Sequence, residues 1–301
     1  MSFGTRERLS DYWSSLDGLV REVRPGQWYK QVILFIPVVF SMNALNLDAW
    51  VDATMGAVLF SAVAGSIYIA NDIADVEEDR RHPTKRHRPI ASGQVGITTA
   101  AVTAVVLSVS SLATAWVVEP TFAAILVAYV AQNLLYDYAL RDVLIVDLLV
   151  ISSGFVLRAI GGILLIGSPI SPWLLLSTFL AALMLGSGKR WAELERLDDP
   201  AEARTTLAKY STDFLEFVFL SVAAMLLFAY SLYTFFARDL AMMLTIPFAY
   251  LAVFRYVYLA IEGHISDPKE MLLDRTTMVN FLLWGITTLV LLYVVPPGWS
   301  L

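Results

Sequence analysis

The chain has 301 residues, 57% of them hydrophobic and 16% charged, with a formal net charge of −6 and no cysteine. Its mean hydropathy of +0.64 lies far to the apolar side of a soluble domain, in which about a quarter of residues are charged. That balance excludes an ordinary water-soluble enzyme domain, and the lack of cysteine excludes disulfides, thiolate nucleophiles and cysteine-held metals; His82, His87 and His264 are too scattered for a zinc set.

Long apolar runs parted by short polar loops predict an all-α polytopic membrane protein with one domain over 1–301. The opening residues show no basic-apolar-small pattern, so no cleaved signal peptide is expected. Leu9, Tyr12, Trp13, Leu16, Leu19, Val20 and Val23 recur at helical spacing. They predict an amphipathic segment over 1–27, lying at the interface or capping the bundle. Over 28–301 the pattern predicts about nine spans, each near the ~20 residues that a bilayer core requires. They fall at about 29–47, 53–75, 97–117, 120–137, 143–166, 172–188, 213–236, 240–261 and 277–295.

Lysine and arginine set the orientation. With the N-terminus inside, the cytoplasmic segments hold Arg6, Arg8, Arg21, Arg24 and Lys30, then Arg80, Arg81, Lys85, Arg86 and Arg88, then Arg141. Lys189, Arg190, Arg196, Arg204 and Lys209 follow, and finally Lys269 and Arg275. The opposite face has Arg238, while Arg158 and Arg255 fall within spans. The N-terminus is expected inside, the C-terminus outside, and the chemistry on the cytoplasmic face of a cell membrane, where the long charged loops lie.

The candidate site residues follow in chain order. RPGQWYK sets Lys30 beside Trp28 and Tyr29, as a phosphate contact or an interfacial anchor. NDIADVEEDRRHPTKRHRPIASG, from Asn71 to Gly93, packs acids and bases together directly after an apolar run. Asp72, Asp75 and Asp79 stand at i, i+3 and i+7, on one face if the helix continues through them. Such hard oxygen ligands suit Mg²⁺. Glu77 and Glu78 point off that face. Lys85 and Arg88 belong to a dense set of donors for phosphate oxygens.

YDYALRDVLIVD runs from Tyr136 to Asp147. Asp147 falls inside a span, where a carboxylate needs a partner or a polar cavity, and Arg141 is expected to neutralise it or to bind phosphate. Arg158, deeper in that span, is expected to lock the glycines Gly161 and Gly162. GSGKRWAELERL offers a close approach or helix break at Gly186 and Gly188, then Lys189 and Arg190 oriented by Glu193. Arg255 is expected to snorkel towards the cytoplasm. DPKEMLLDR, from Asp267 to Arg275, is a solvated loop or a cover for the site.

The Asn71–Gly93 stretch resembles the NDxxDxxxD motif of the UbiA-type superfamily of intramembrane prenyltransferases, over nearly the whole chain. RPGQWYK, SSGFVLRAIGG, GKRWAEL and DPKEMLLDR are similar to the decaprenyl-phosphate phosphoribosyltransferase branch of arabinan precursor synthesis. Two departures stand out: Gln31 where that branch usually has asparagine, and Arg141 where it more often has lysine. The second region holds a single deep Asp147 instead of the DxxxD of other members.

The resemblance implies nine helices around a central cavity and Mg²⁺-dependent transfer of 5-phosphoribose from phosphoribosyl pyrophosphate to a polyprenyl phosphate. Asp72, Asp75 and Asp79 would hold Mg²⁺, and Lys85 and Arg88 the pyrophosphate. Lys189 and Arg190 would hold the 5-phosphate or the acceptor phosphate, with Lys30, Asn71, Tyr136, Arg141 and Asp147 as further substrate contacts. The two basic sets could exchange roles. A prenyltransferase moving an isoprenyl group from its diphosphate to an aromatic acceptor is the rival on the same fold. A cation transporter is the rival without catalysis. No nucleic-acid partner is expected, and association into a homo-oligomer is left open.

Overall fold

The computed structural model describes residues 14–196, 207–237, 240–263 and 268–295. Leu9, Tyr12 and Trp13 of the amphipathic segment, Arg6, Arg8, Arg204, Arg238, His264 and Asp267 lie outside the described residues, as does the side chain of Lys269. The described residues are helical with no strand. A helix over 14–22 (α1) leads into a 3-10 helix, Pro25–Phe35, and a short α2, Ile36–Phe40. Then come α3 (Leu47–Ala74), α4 (Val76–Arg81), α5 (Ile97–Val118), α6 (Pro120–Leu135) with a π-turn at Tyr136–Leu140, α7 (Val146–Leu165) and α8 (Pro172–Arg196). Beyond the gap lie α9 (Thr212–Leu232), α10 (Ile246–Ile261), α11 (Pro268–Met271) and α12 (Arg275–Tyr293).

Eight helices among the described residues are long and apolar enough to cross a membrane, and they coincide with the second to ninth expected spans. The first expected span differs. It is an 11-residue 3-10 helix running into a five-residue α-helix, with Pro25 starting it and Pro37 near the junction. At ~2.0 Å per 3-10 residue and ~1.5 Å per α residue the segment extends roughly 30 Å, the thickness of a bilayer core. The first expected span is not among the eight spanning helices of the described residues.

Lipid, not water, is the solvent these helices fit. On α5, Val102, Val105, Val106, Val109 and Trp116 are each 58–65% exposed, an apolar face that a water-soluble protein rarely displays. The chain is an integral membrane protein.

It divides into two units. The first comprises the chain up to Val38, Asn46–Asp137 and Gly161–Ser168. Its axis is α3, started by Asn46, whose side chain accepts the Asp48 N–H. Ile69 of α3, Ile90, Val95 and Ala100 form a buried cluster, with Leu19 and Val23 of α1 packed against it. Gly65 admits α1: a Cβ there would lie 2.7 Å from Val23 Cγ1. Gly162 admits the 3-10 helix equally closely, since its Cβ would come 2.5 Å from the Leu34 carbonyl oxygen.

The second unit comprises Val39–Leu45, Tyr138–Ile160 and the chain from Pro169. Its core pairs α8 with α9 and α10 through Leu183, Met184, Trp191, Leu215, Phe219 and Tyr256. Helix α8 runs unbroken through Gly186 and Gly188, so neither breaks the helix, and close approach holds at Gly188 alone, a Cβ on Gly186 meeting only Leu148 at 3.7 Å. A Cβ on Gly188 would lie 2.8 Å from the Phe219 ring, and Phe219 meets Tyr256 edge-on at 5.7 Å.

Candidate functional site

The acidic motif sits where α3 gives way to α4. Asp75, at φ −91° and ψ 6°, interrupts the helix for one residue. The hydrogen-bond ladder still crosses it: Asp75 N–H reaches the Asn71 carbonyl at 2.9 Å and Asp79 N–H reaches the Asp75 carbonyl at 2.8 Å. Asp72 and Asp79, two turns apart, therefore keep one side and are buried at 3% and 1% exposure, while Asp75 at the break is half-buried. Glu77 and Glu78 are exposed, and Glu77 pairs with Arg80 at 2.7 Å.

The basic loop folds back onto these acids. His82 Nδ1 accepts the N–H groups of Thr84 at 3.2 Å and Lys85 at 3.3 Å, which turns the chain into the 3-10 helix Lys85–His87 and delivers Arg88. Arg88 Nη1 donates to Asp72 Oδ1 at 2.9 Å and to Asp79 Oδ2 at 2.7 Å. Lys85 is half-buried one turn earlier.

Two residues that the sequence reading did not place in the site complete it. Arg24, in a left-handed conformation at φ 55°, donates from Nη2 to both Asp72 oxygens at 2.7 and 2.8 Å and lies 4.9 Å from the centre of the Tyr68 ring. Glu22, 2% exposed, accepts the Ile90 N–H at 2.9 Å. Burial and the bonded Asp72 carboxylate raise its pKa to about 7. With Glu22 protonated, two carboxylates face two guanidiniums and the buried cluster is balanced in charge. The one signal in the sequence was the Glu22–Arg24 pair of charges set among the apolar positions of the amphipathic segment.

Among the described residues no three acidic or histidine side chains gather closely enough to hold an ion. Asp72 and Asp79 instead share a guanidinium. The donor set nonetheless suits a hard cation, being carboxylate oxygen already arranged around a positive charge.

The second constellation lies in the second unit. Asp147, fully buried, takes Arg190 Nη2 at 2.9 Å from Oδ2 and the Tyr210 hydroxyl at 2.7 Å on Oδ1. Asp147 Oδ2 and Arg190 Nη1 are buried without an aligned hydrogen bond, so charge proximity dominates that pair. This corrects the expectation that Arg141 neutralises Asp147. Ile145, at φ 71°, turns the chain ahead of α7, and Arg141 ends half-exposed, 3.9 Å from Asp142. Burial, then the Asp147 bond, pushes the Tyr210 phenol well above its ordinary pKa, which leaves its O–H as the donor.

Lys189 and Arg190 part ways because consecutive helix residues point about 100° apart. Lys189 Nζ lies 4.0 Å from Glu193, partly exposed, whereas Arg190 is 4% exposed on Asp147, so Glu193 does not orient both. Arg158 does not lock Gly161 and Gly162. It turns back to the Gly154 carbonyl at 2.8 Å and over the Phe155 ring at 5.4 Å. Arg255 joins Asp274, the N-cap of α12, through Nε at 3.1 Å and Nη2 at 2.8 Å. Lys30 is half-buried on the 3-10 helix, and Tyr136 half-buried at the start of the π-turn.

The model of the UbiA prenyltransferase family matches residues 32–286. The decaprenyl-phosphate phosphoribosyltransferase of Mycobacterium tuberculosis is 36% identical over 281 residues, covering 90% of this chain and 92% of its own. That of Corynebacterium glutamicum is 34% identical, covering 93% of this chain and 88% of its own. Among solved structures, a UbiA homologue from Archaeoglobus fulgidus bound to DMAPP and Mg²⁺ superposes with a TM-score of 0.70 at 16% identity, over 92% of this chain and 99% of that one.

Proposed function

The chain belongs to the UbiA prenyltransferase family, and from that premise we propose that it transfers 5-phosphoribose from phosphoribosyl pyrophosphate to a polyprenyl phosphate, releasing pyrophosphate. The observation that carries this reading is the likeness to decaprenyl-phosphate phosphoribosyltransferases at 34–36% identity over about nine-tenths of the chain. Family membership makes it a transferase and removes the transporter reading. Isoprenyl transfer has the family's name and the fold behind it, but the structures that hold DMAPP or GPP are 16% identical, against 34–36% for the phosphoribosyltransferases.

The site's chemistry agrees with the demands of this reaction. Mg²⁺ would be held by Asp72, Asp75 and Asp79, and would neutralise charge on the donor diphosphate. Arg88, now bridging Asp72 and Asp79, turns its donors to the diphosphate oxygens, and Lys85 adds a second cation from the preceding turn. Both serve the leaving group, on which charge grows as the bond to C1 breaks. The acceptor phosphate is already ionised. One of its oxygens forms the new bond to C1, the C1–O bond to pyrophosphate breaks, and the electron pair leaves with pyrophosphate. No general base is required. In the second unit, Lys189 and Arg141 are partly exposed cations left for phosphate, while Arg190 is held on the buried Asp147.

The polyprenyl tail takes an apolar groove of about 610 Å³ in the first unit. Trp28, Val32 and Phe35 of the 3-10 helix line it with Val58 and Ala62 of α3, and Val23 and Pro25 bring it to either side of Arg24. The lysine and arginine distribution puts this site on the cytoplasmic face.

The test is pyrophosphate release by purified protein in detergent with Mg²⁺. Release that needs phosphoribosyl pyrophosphate and polyprenyl phosphate together is expected. Release only from an isoprenyl diphosphate with an aromatic acid would replace this function with the rival one.

A further inference from the structure

The segment just before α9 takes no part in the reaction proposed above, yet its contacts converge on the turn that carries Arg141. Lys209 Nζ donates to the Asp142 carbonyl at 2.9 Å. The Tyr210 hydroxyl accepts the Ile145 N–H at 2.7 Å and donates to Asp147 Oδ1 at 2.7 Å. One phenol thus ties a backbone amide before α7 to a buried carboxylate in its first turn.

The turn needs such a tie. Ile145 has φ 71°, a left-handed conformation that a β-branched residue avoids. Its side chain is 43% exposed, so core packing does not force the conformation. Tyr210 is itself well fixed, being 5% exposed and stacked on Phe214 at 6.2 Å between ring centres.

We propose that Tyr210 is a positioning residue: its hydroxyl holds the left-handed turn at Ile145 against Asp147, and so fixes where Arg141 meets a phosphorylated substrate. The inference rests on the reading of Arg141 as a substrate contact. A phenol in this place is chemically suited to the task. Its oxygen accepts from the amide while its hydrogen satisfies the carboxylate, which phenylalanine cannot do.

Tyr210→Phe removes the hydroxyl alone. The expected result is a rise of about tenfold in KM for phosphoribosyl pyrophosphate, the scale of one buried hydrogen bond, with kcat changed less than about twofold. Hydrogen exchange over 141–147 should speed up in parallel. Ile145→Gly added to Tyr210→Phe should recover most of the lost KM, because glycine takes positive φ without strain. Ile145→Pro, which can adopt neither the positive φ nor the N–H bond, should reproduce the defect with Tyr210 intact, and it keeps the test alive should Tyr210→Phe fold poorly.

Unchanged KM and exchange in Tyr210→Phe, or no recovery on adding Ile145→Gly, would overturn the proposal. So would a loss confined to kcat. Absence of ribose transfer by the wild-type protein would strike the proposed function instead, and the exchange measurement would still judge the clamp.

Discussion

Arg88 is one guanidinium answering two buried carboxylates, and the cluster around it can be treated as a charge ledger of named groups. Asp72 and Asp79 are paired with Arg88 and Arg24, and Glu22 lies beside them with its pKa raised by burial and by Asp72. Removing Arg88 leaves Asp79 buried without its counterion. Breaking a buried pair from one side costs about 3–5 kcal/mol, and nearer ~2–3 kcal/mol here because the Arg88 side chain is 31% exposed. Arg88→Ala should therefore melt lower than wild type, and Mg²⁺ should raise its melting temperature more than it raises that of wild type, since the ion supplies the missing charge. Equal Mg²⁺ effects on the two proteins would separate the ion from these carboxylates. At this scale the sequence was readable in part. Asp72 and Asp79 announced themselves by spacing, but Glu22 lies 68 residues from Ile90 and Arg24 48 from Asp72, separations across which no local pattern speaks. Asp147 was legible as a residue in need of a partner. Its partner was misassigned because proximity in sequence favoured Arg141, whereas the left-handed Ile145 turns that residue aside and α8 supplies Arg190.

At the scale of elements, hydropathy located most helices to within a few residues. The span expected at 97–117 is Ile97–Val118, and that expected at 172–188 begins at Pro172 but runs on to Arg196. Charge made the second end hard to read, since Lys189 to Arg196 look like a loop after an apolar run yet continue the helix. The 3-10 form of Pro25–Phe35 was not legible, because its apolar content is that of an α-helical span. Element polarity yields its own prediction. The loop after α4 holds Lys85, Arg86 and Arg88, and the connection between α7 and α8 has no lysine or arginine. With no native cysteine in the chain, Thr84→Cys and Ile170→Cys each give a single reactive thiol at an exposed position. An impermeant maleimide added outside intact cells should label Ile170→Cys and spare Thr84→Cys. The reverse pattern would invert the orientation.

At the scale of the whole molecule, the buried carboxylates Asp72, Asp79 and Asp147 are each paired with arginine among the described residues, two of them in the acidic motif with its basic loop. Composition made the membrane class plain, and residue spelling, more than periodicity, pointed to the family. The division of labour among the phosphates was not legible, because a guanidinium's duty depends on which carboxylates already hold it. We propose the cluster around Asp72 and Asp79 as the donor site for ribose-phosphate transfer. The most direct measurement is the initial rate at which label passes from phosphoribosyl pyrophosphate into solvent-extractable polyprenyl phosphate, for wild type beside Asp72→Asn at matched folded fraction. Transfer by wild type is expected, with a loss of at least about a hundredfold in Asp72→Asn, the scale of removing a group aligned on developing charge. Equal rates in the two proteins, or no extractable label from folded wild type, would contradict it.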